Sequence, residues 1–149
     1  MASVVERIAL PVSPDHVWKL IGGFGSLPDW LPFISSLELH DGGRVRRFST
    51  VEGAQFSERL IRFDQAKRSY TYELVEAPIP VGAYLSTLGV TQSDADRGSV
   101  VEWSGEFKPV GATEAEAVSV VSGIYRNGLK ALEQQLGRSI AESPSIARG

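Results

Sequence analysis

The chain has 149 residues, of which 42% are hydrophobic and 22% are charged, and these values are typical of one globular domain. The formal net charge of −3 disfavours nucleic acid and anionic membranes as partners. There is no cysteine and there are two histidines, which excludes disulfides and thiolate sites and leaves little material for a metal site or a histidine-based triad.

Targeting and nucleotide-binding signals are also missing from the sequence. The N-terminus lacks the basic and apolar regions of a signal peptide, and no apolar run approaches the roughly 18 residues of a membrane helix. No glycine-rich phosphate-binding motif occurs. We therefore expect a cytoplasmic protein, monomeric or homodimeric, that uses no metal or cofactor and does not insert into a membrane.

The N-terminal part predicts one strand and two short helices. Residues 3–12 alternate as a strand does. Ser13 is a good N-cap with Pro14 in the first turn, and Gly22 and the next glycine end this helix. Residues 24–31 predict a second short helix, which Pro32 prevents from continuing.

The middle of the chain predicts an antiparallel meander. Six segments have strand patterns and are separated by turn signals, among them Asp41-Gly42-Gly43 and a polar loop over 92–98. The segments are 34–40, 44–50, 54–63, 69–76, 81–91 and 99–108. A meander of this length is expected to curl.

Residues 113–136 have the clearest helical period in the chain. Thr113 is a good N-cap with acids in the following turn, and Gly137 is the predicted end. The apolar face consists of Val118, Val121, Tyr125, either Gly128 or Leu129, Leu132 and Leu136. We expect one domain over residues 1–140 and a flexible polar tail over 141–149.

Alternation in the last predicted strand separates its acids from its apolar residues. Glu102 and Glu106 share one face, while Val101, Trp103 and Phe107 share the other. The apolar set is the expected core face, so period two alone predicts that Glu102 is solvated. In segment 69–76 the face rich in tyrosine is the expected covered face.

Several stretches resemble the helix-grip (SRPBCC) superfamily. They are VERIALPVSPDHVWKLIGGFGSLPDWLPF near the N-terminus, Glu58-Arg59-Leu60 at the opening of a long strand, and VVEWSGEFKPVG before the last helix. The superfamily contains START lipid-transfer domains, the birch-pollen-allergen (Bet v) family, bacterial polyketide cyclase/dehydrase-like proteins and abscisic-acid receptors. The resemblance implies an α+β fold in which a curved antiparallel sheet of about seven strands wraps round a long C-terminal helix, with two short helices after the first strand.

The resemblance also implies a cavity between the sheet and the long helix. By their match to positions in the abscisic-acid receptors, four residues are expected inside it: Glu58, Tyr84, Ser86 and Glu102. For Glu102 the alternation predicts a solvated position instead, and we adopt the inward position that the resemblance implies. The other expected lining residues are Trp30 and Phe33 at the mouth, Tyr72 and Leu74 on the sheet, Val121, Ile124, Tyr125 and Gly128 on the helix, and Arg47 as the nearest basic candidate.

Three functions are consistent with these expectations. The first is binding, transport or sequestration of a small hydrophobic or amphipathic molecule such as a lipid, a polyketide or an aromatic compound. The second is a cofactor-free cyclase, dehydratase or hydrolase, with Glu58 or Glu102 as general base and Tyr84 or Tyr125 as proton donor. The third is a structural domain with a filled core. The receptors' Ser-Gly-Leu-Pro gate is absent, so hormone reception is not implied.

Overall fold

The computed structural model describes residues 1–93 and 97–148, with side chains up to residue 137. The strands are β1 (Ala2–Leu10), β2 (Ile34–His40), β3 (Val45–Thr50), β4 (Gln55–Asp64), β5 (Ser69–Glu76), β6 (Val81–Gln92) and β7 (Ser99–Pro109). The α-helices are α1 (Pro14–Ile21), α2 (Leu27–Trp30) and α3 (Glu114–Arg148). The predicted loop over 92–98 contains residues 94–96, which lie outside the described residues.

The strands form one curved antiparallel sheet with the order β1-β7-β6-β5-β4-β3-β2. Consecutive strands from β2 to β7 are neighbours, and β1 returns to pair with β7. Helix α3 lies against β1 and β7, and α2 lies against β2 and α3. The predicted α+β helix-grip architecture is confirmed.

Side-chain caps begin the two longer helices as the sequence predicts. The Ser13 hydroxyl accepts a hydrogen bond from the His16 N–H at 3.3 Å at the start of α1. At α3, Thr113 Oγ1 accepts from the Glu116 N–H at 3.1 Å, and Glu116 Oε1 accepts from the Thr113 N–H at 2.8 Å. This reciprocal pair is a capping box, and the Thr113 N–H lowers the pKa of Glu116.

The predicted end of α3 at Gly137 is wrong, because the helix continues to Arg148. A glycine ends a helix where it adopts the left-handed conformation, and Gly137 does not. The predicted tail over 141–149 therefore begins within the helix, and its flexibility stays a prediction; Gly149 lies outside the described residues. Within the described part of the chain, no helix has the length and apolar character needed to span a bilayer.

The space between the sheet and α3 is filled in one half and open in the other. Against β1 and β7, the inner face of α3 is fully packed, with Val121, Leu129 and Leu132 buried. Over β3, β4 and β5 the concave face is only partly covered, because α3 crosses the sheet near its other edge. This asymmetry leaves room for a pocket.

Candidate functional site

A pocket of about 380 Å³ opens over the concave face between β3–β6, α2 and α3. Its walls are mainly apolar and include Leu27, Leu31, Phe33, Ile34, Phe48, Phe56, Leu74, Ile79, Trp103 and Ile124. Four buried residues add polar groups to this lining: Arg46, Glu58, Tyr72 and Tyr84. The pocket thus combines apolar walls with a small polar cluster.

An ion pair between Arg46 and Glu58 is the centre of the polar cluster. The two residues are direct partners across β3 and β4. Nε and Nη2 of Arg46 lie 2.8 and 2.7 Å from the same oxygen, Glu58 Oε1. Only 1% of the Arg46 side chain and 8% of the Glu58 side chain are exposed. The pair is therefore held away from water and brings no net charge to the pocket.

Arg46 is held by further contacts on several sides. Its Nη1 donates to the Phe24 carbonyl at 3.1 Å and to the Tyr70 hydroxyl at 3.0 Å. The guanidinium also lies 4.2 Å from the ring centre of Phe24 and 4.7 Å from that of Tyr72. Burial alone would lower the pKa of Arg46, but the influence of Tyr70 and Glu58 raises it above its ordinary value. Arg46 therefore stays charged.

Glu58 is the acceptor that the pocket exposes. Burial raises the pKa of Glu58 above its ordinary value, and the nearby Arg46 opposes that rise. Because both contacts from Arg46 reach Oε1, no hydrogen bond from a described residue reaches Oε2. A ligand group that donates a hydrogen bond can therefore bind Oε2 without breaking the ion pair.

A chain of hydroxyl groups leads from the pocket into the packed half of the interior. The Tyr84 hydroxyl is hydrogen-bonded to the Tyr125 hydroxyl, which lies 2.8 Å from Ser86 Oγ. Ser86 Oγ donates to the Ser104 carbonyl at 2.8 Å. Burial raises the pKa of Tyr84 well above its ordinary value and that of Tyr125 to about 12, so both phenols are neutral at physiological pH.

The protons in this chain can be assigned by counting them. With Ser86 donating to the Ser104 carbonyl, the assignment that fills the three shorter contacts has Tyr125 donating to Ser86. The Tyr125 hydroxyl also lies 3.4 Å from the Ser104 carbonyl, which is a second acceptor for its proton. With the Tyr125 proton directed to either of these groups, Tyr84 donates to Tyr125. Tyr84 consequently has no proton left for a ligand and can only accept. Tyr72 differs, because its oxygen accepts from Trp103 Nε1 at 3.0 Å and its hydroxyl donates to no described residue, so its own proton is available to a ligand.

Gly105 allows the Tyr125 hydroxyl to approach the sheet. A methyl group built on Gly105 would overlap the Tyr125 hydroxyl oxygen and lie 3.3 Å from Cζ of the same ring. Gly105 is paired with Ser86 on β6, so the open position stands directly beside the hydroxyl chain. Because Gly105 has no side chain, the Tyr125 hydroxyl can come within hydrogen-bond distance of Ser86.

We expect Gly105→Ala to lower the free energy of unfolding by about 1–3 kcal/mol, because the added methyl displaces the Tyr125 hydroxyl. In Gly105→Ala/Tyr125→Phe the overlapping oxygen is gone, so the double variant should be more stable than the sum of the single changes predicts, by at least about 1 kcal/mol. Urea denaturation of the four proteins measures this coupling. Strictly additive losses would contradict the close approach.

Trp103 forms the wall between the pocket and the packed half. Its ring stacks on Tyr125 with 4.6 Å between centroids and 14° between planes, and Trp30 packs beside it at 5.7 Å. A methyl group on Gly128 would lie 2.7 Å from Trp103 Cζ3. Gly128 therefore makes room for the indole and leaves no free space for a ligand.

The structure brings part of the predicted lining together. Six of the predicted residues line the pocket: Phe33, Glu58, Tyr72, Leu74, Tyr84 and Ile124. Ser86 and Tyr125 lie behind it in the hydroxyl chain. Trp30, Val121 and Gly128 are buried in the packed half and do not line the pocket, so the predicted places of these three are corrected.

Two predicted residues lie on the opposite face of the sheet. Glu102 is 45% exposed, and its Oε2 is 2.6 Å from Nε of Arg7, its partner on β1. The inward position expected from the resemblance is wrong, and the solvated position expected from alternation is right. Arg47 is exposed and points away from the pocket because its neighbour Arg46 occupies the inward position.

Arg46 and Trp103 are the principal residues that the predicted site lacked. Arg46 lies two positions before Phe48, so the two share one face of β3. That apolar neighbour was the available signal for an inward arginine. Alternation predicted Trp103 on the inner face of its strand, but the sequence does not distinguish an inner residue that lines a pocket from one that is packed in the core. Among the described residues, no group of three or more His, Asp or Glu side chains could hold a metal ion.

A pocket between a curved antiparallel sheet and a long C-terminal helix defines a helix-grip protein. The chain belongs to the family described as polyketide cyclase / dehydrase and lipid transport, whose profile matches residues 1–137. It is similar to XoxI from Bacillus cereus, with 47% identity over 91% of this chain and 96% of that one and a TM-score of 0.88. A protein from Thermobifida fusca is 26% identical over 93% and 95% of the two chains, with a TM-score of 0.79.

More distant structures share the fold. Ara h 8.0201 is 21% identical over 90% of this chain and 96% of its own, with a TM-score of 0.71. The di-domain ARO/CYC BexL is 16% identical over 92% of this chain and 46% of its own, with a TM-score of 0.72. Family membership supports hydrophobic-ligand binding or a cyclase role in general and does not select between them.

Proposed function

We propose that this protein binds a small hydrophobic or amphipathic molecule, such as a lipid, a polyketide or an aromatic compound, between the sheet and α3. The observation that carries the proposal is the pocket of about 380 Å³. Ligand sites typically enclose roughly 300–1,000 Å³ and combine apolar walls with a few polar groups. A structural domain with a filled core would have packed this half of the interior as tightly as the other.

The polar cluster supports a ligand that is amphipathic. Arg46 and Glu58 are costly to bury, and replacing such a pair by apolar residues is often neutral or stabilising. A role in orienting a ligand accounts for a free carboxylate oxygen in an otherwise apolar pocket. The ligand would place its apolar body against Phe48, Leu74 and Ile124 and its polar group near Glu58.

A cofactor-free enzyme is the second candidate, and one observation favours it. The raised pKa of Glu58 and its open Oε2 suit a general base that removes a proton from a bound substrate. Tyr84 suits the donor role poorly, since the proton assignment of the hydroxyl chain directs its proton to Tyr125. Tyr72 is the better donor. Turnover of a bound ligand that is lost in Glu58→Gln would favour this candidate over binding alone.

We expect Ile124→Trp to weaken binding of a neutral hydrophobic dye such as Nile red by at least tenfold, because the larger side chain fills the pocket. Fluorescence titration measures the affinity. Val120→Trp is the matched control, since Val120 lies on the same helix, is 37% exposed and does not line the pocket.

Mass spectrometry of the protein purified under native conditions tests the proposal independently. A copurified hydrophobic molecule that is present in the wild type and in Val120→Trp but depleted in Ile124→Trp would support it. A wild type that carries no such molecule and binds no hydrophobic dye would refute it.

A further inference from the structure

The order of Arg46 and Glu58 from the pocket inward decides which charge a ligand meets. Arg46 is the less exposed of the two, at 1% against 8% for Glu58. The rings of Phe24 and Tyr72 lie over its guanidinium, and four of its five N–H groups are engaged: those of Nε and Nη1 by Glu58, Phe24 and Tyr70, and one of Nη2 by Glu58. A ligand therefore meets the carboxylate before the arginine.

Tyr84 adds a second acceptor to the same lining. Its proton is given to Tyr125, so only the lone pairs of its oxygen are available to a ligand. Together with Glu58 Oε2, the pocket presents two acceptor oxygens on buried side chains. Among these buried lining residues, the phenolic proton that stays available to a ligand belongs to Tyr72.

Because of this arrangement, the affinity of the pocket should depend on the polar group that the ligand carries. A ligand hydroxyl can donate to Glu58 Oε2 and accept from Tyr72 at the same time. A ligand carboxylate would lose its hydration and meet Glu58 first, and the charge of Arg46 is already balanced by Glu58, so the ligand's charge would stay uncompensated. An ether of the same shape has no proton to give, and its binding would cover Oε2 without supplying a partner.

Resting on the proposed function, we infer that the pocket selects hydrophobic molecules that carry a neutral hydroxyl group, alcohols or phenols, over matched molecules that carry a carboxylate. The selection is made by Glu58 Oε2 and the acceptor-only Tyr84. Arg46 holds Glu58 in place.

Three probes of one shape test the inference on the wild-type protein: β-naphthol, its methyl ether and β-naphthoate, measured by isothermal titration calorimetry at neutral pH. We expect β-naphthol to bind at least about tenfold tighter than either of the others, which is the scale of one hydrogen bond to a charged group. β-Naphthoate binding as tightly as β-naphthol, or the ether binding as tightly, would overturn the inference and leave the proposed function standing. Failure of all three to bind would overturn the inference, and the proposed function would fall with it only if Nile red also does not bind and no hydrophobic molecule copurifies.

A variant tests which residue makes the selection. Glu58→Gln keeps the size of the side chain, removes the charge and leaves Arg46 without its partner, so the preference should shift at least about tenfold towards β-naphthoate. Glu102→Gln is the control, because Glu102 lies on the outer face and should leave the preference unchanged. An unchanged preference in folded Glu58→Gln would overturn the role of Glu58; if that variant does not fold, the wild-type probe series decides the inference.

Discussion

Replacing Arg46 by methionine should lower the free energy of unfolding by about 3–5 kcal/mol, the usual cost of removing one partner of a buried ion pair. The side chain that remains is Glu58, which accepts its described hydrogen bonds from Arg46 alone. Its carboxylate would then be buried without a counter-charge. Urea denaturation monitored by the fluorescence of the three tryptophans measures the loss.

The loss should depend on pH in a defined direction. Arg46 opposes the effect of burial on the pKa of Glu58, so its removal raises that pKa further. A group whose pKa is higher in the folded protein contributes most stability below its unfolded pKa and loses that contribution as the pH rises through the folded pKa. Arg46→Met should therefore be closest to wild type in acid and furthest from it at alkaline pH.

Two further proteins make this prediction specific. Arg47→Met changes the adjacent arginine, which is exposed on the outer face, and should alter stability by no more than about 0.5 kcal/mol. Arg46→Met/Glu58→Leu removes both charges and should recover most of the lost stability. If Arg46→Met and Arg47→Met behaved alike, Arg46 would not be in a buried ion pair.

The succession of elements could be predicted because each segment carries its own signal. Alternation, turn residues and caps are local properties, and Ser13 and Thr113 cap the helices that they were expected to cap. The end of α3 could not be predicted in the same way. A glycine can occupy either a helical or a left-handed conformation, so the presence of Gly137 in the sequence does not decide whether the helix ends there.

The pocket residues were harder to predict because a strand has two faces and one step along it changes the face. Arg46 and Arg47 are adjacent, yet one is buried beside Glu58 and the other is exposed. For Glu102, alternation gave the right face and the resemblance to distant relatives gave the wrong one. The resemblance to the superfamily predicted the fold correctly. The face of the sheet on which Glu102 lies was predicted only by the alternation along its own strand.

The ion pair and the hydroxyl chain depend on contacts between distant parts of the sequence. Arg46 meets Glu58 only through the register of β3 on β4, and Tyr125 on α3 meets Ser86 on β6. The direction of each hydrogen bond follows only when all contacts are known together. Tyr84 was expected to donate a proton to a ligand, whereas the proton assignment of the hydroxyl chain directs that proton to Tyr125. Chemical roles in this site are properties of the network and not of single residues.

Gly123 and Gly128 offer a matched pair on α3 that should respond in opposite directions to alanine. Alanine has a higher helix propensity than glycine, so Gly123→Ala, whose methyl would have no neighbour within 4 Å, should raise the free energy of unfolding by about 1 kcal/mol. Gly128→Ala has the same gain in propensity. Its methyl would lie 2.7 Å from Trp103 Cζ3 and 3.2 Å from Leu31 Cδ2, and the net effect should be a loss of about 1–3 kcal/mol.

Gly123→Ala and Gly128→Ala should also differ in their affinity for a ligand. Trp103 is stacked on Tyr125, packed beside Trp30 and hydrogen-bonded to Tyr72, so the direction left for it to move is towards the pocket that it lines. Gly128→Ala should therefore weaken Nile red binding, while Gly123→Ala should not. Equal stabilisation of both variants in urea, with unchanged dye affinity, would mean that Trp103 is not confined between the helix and the pocket. Opposite shifts in stability, with dye affinity reduced in Gly128→Ala alone, would show that the indole is the wall which keeps the ligand space separate from the packed core.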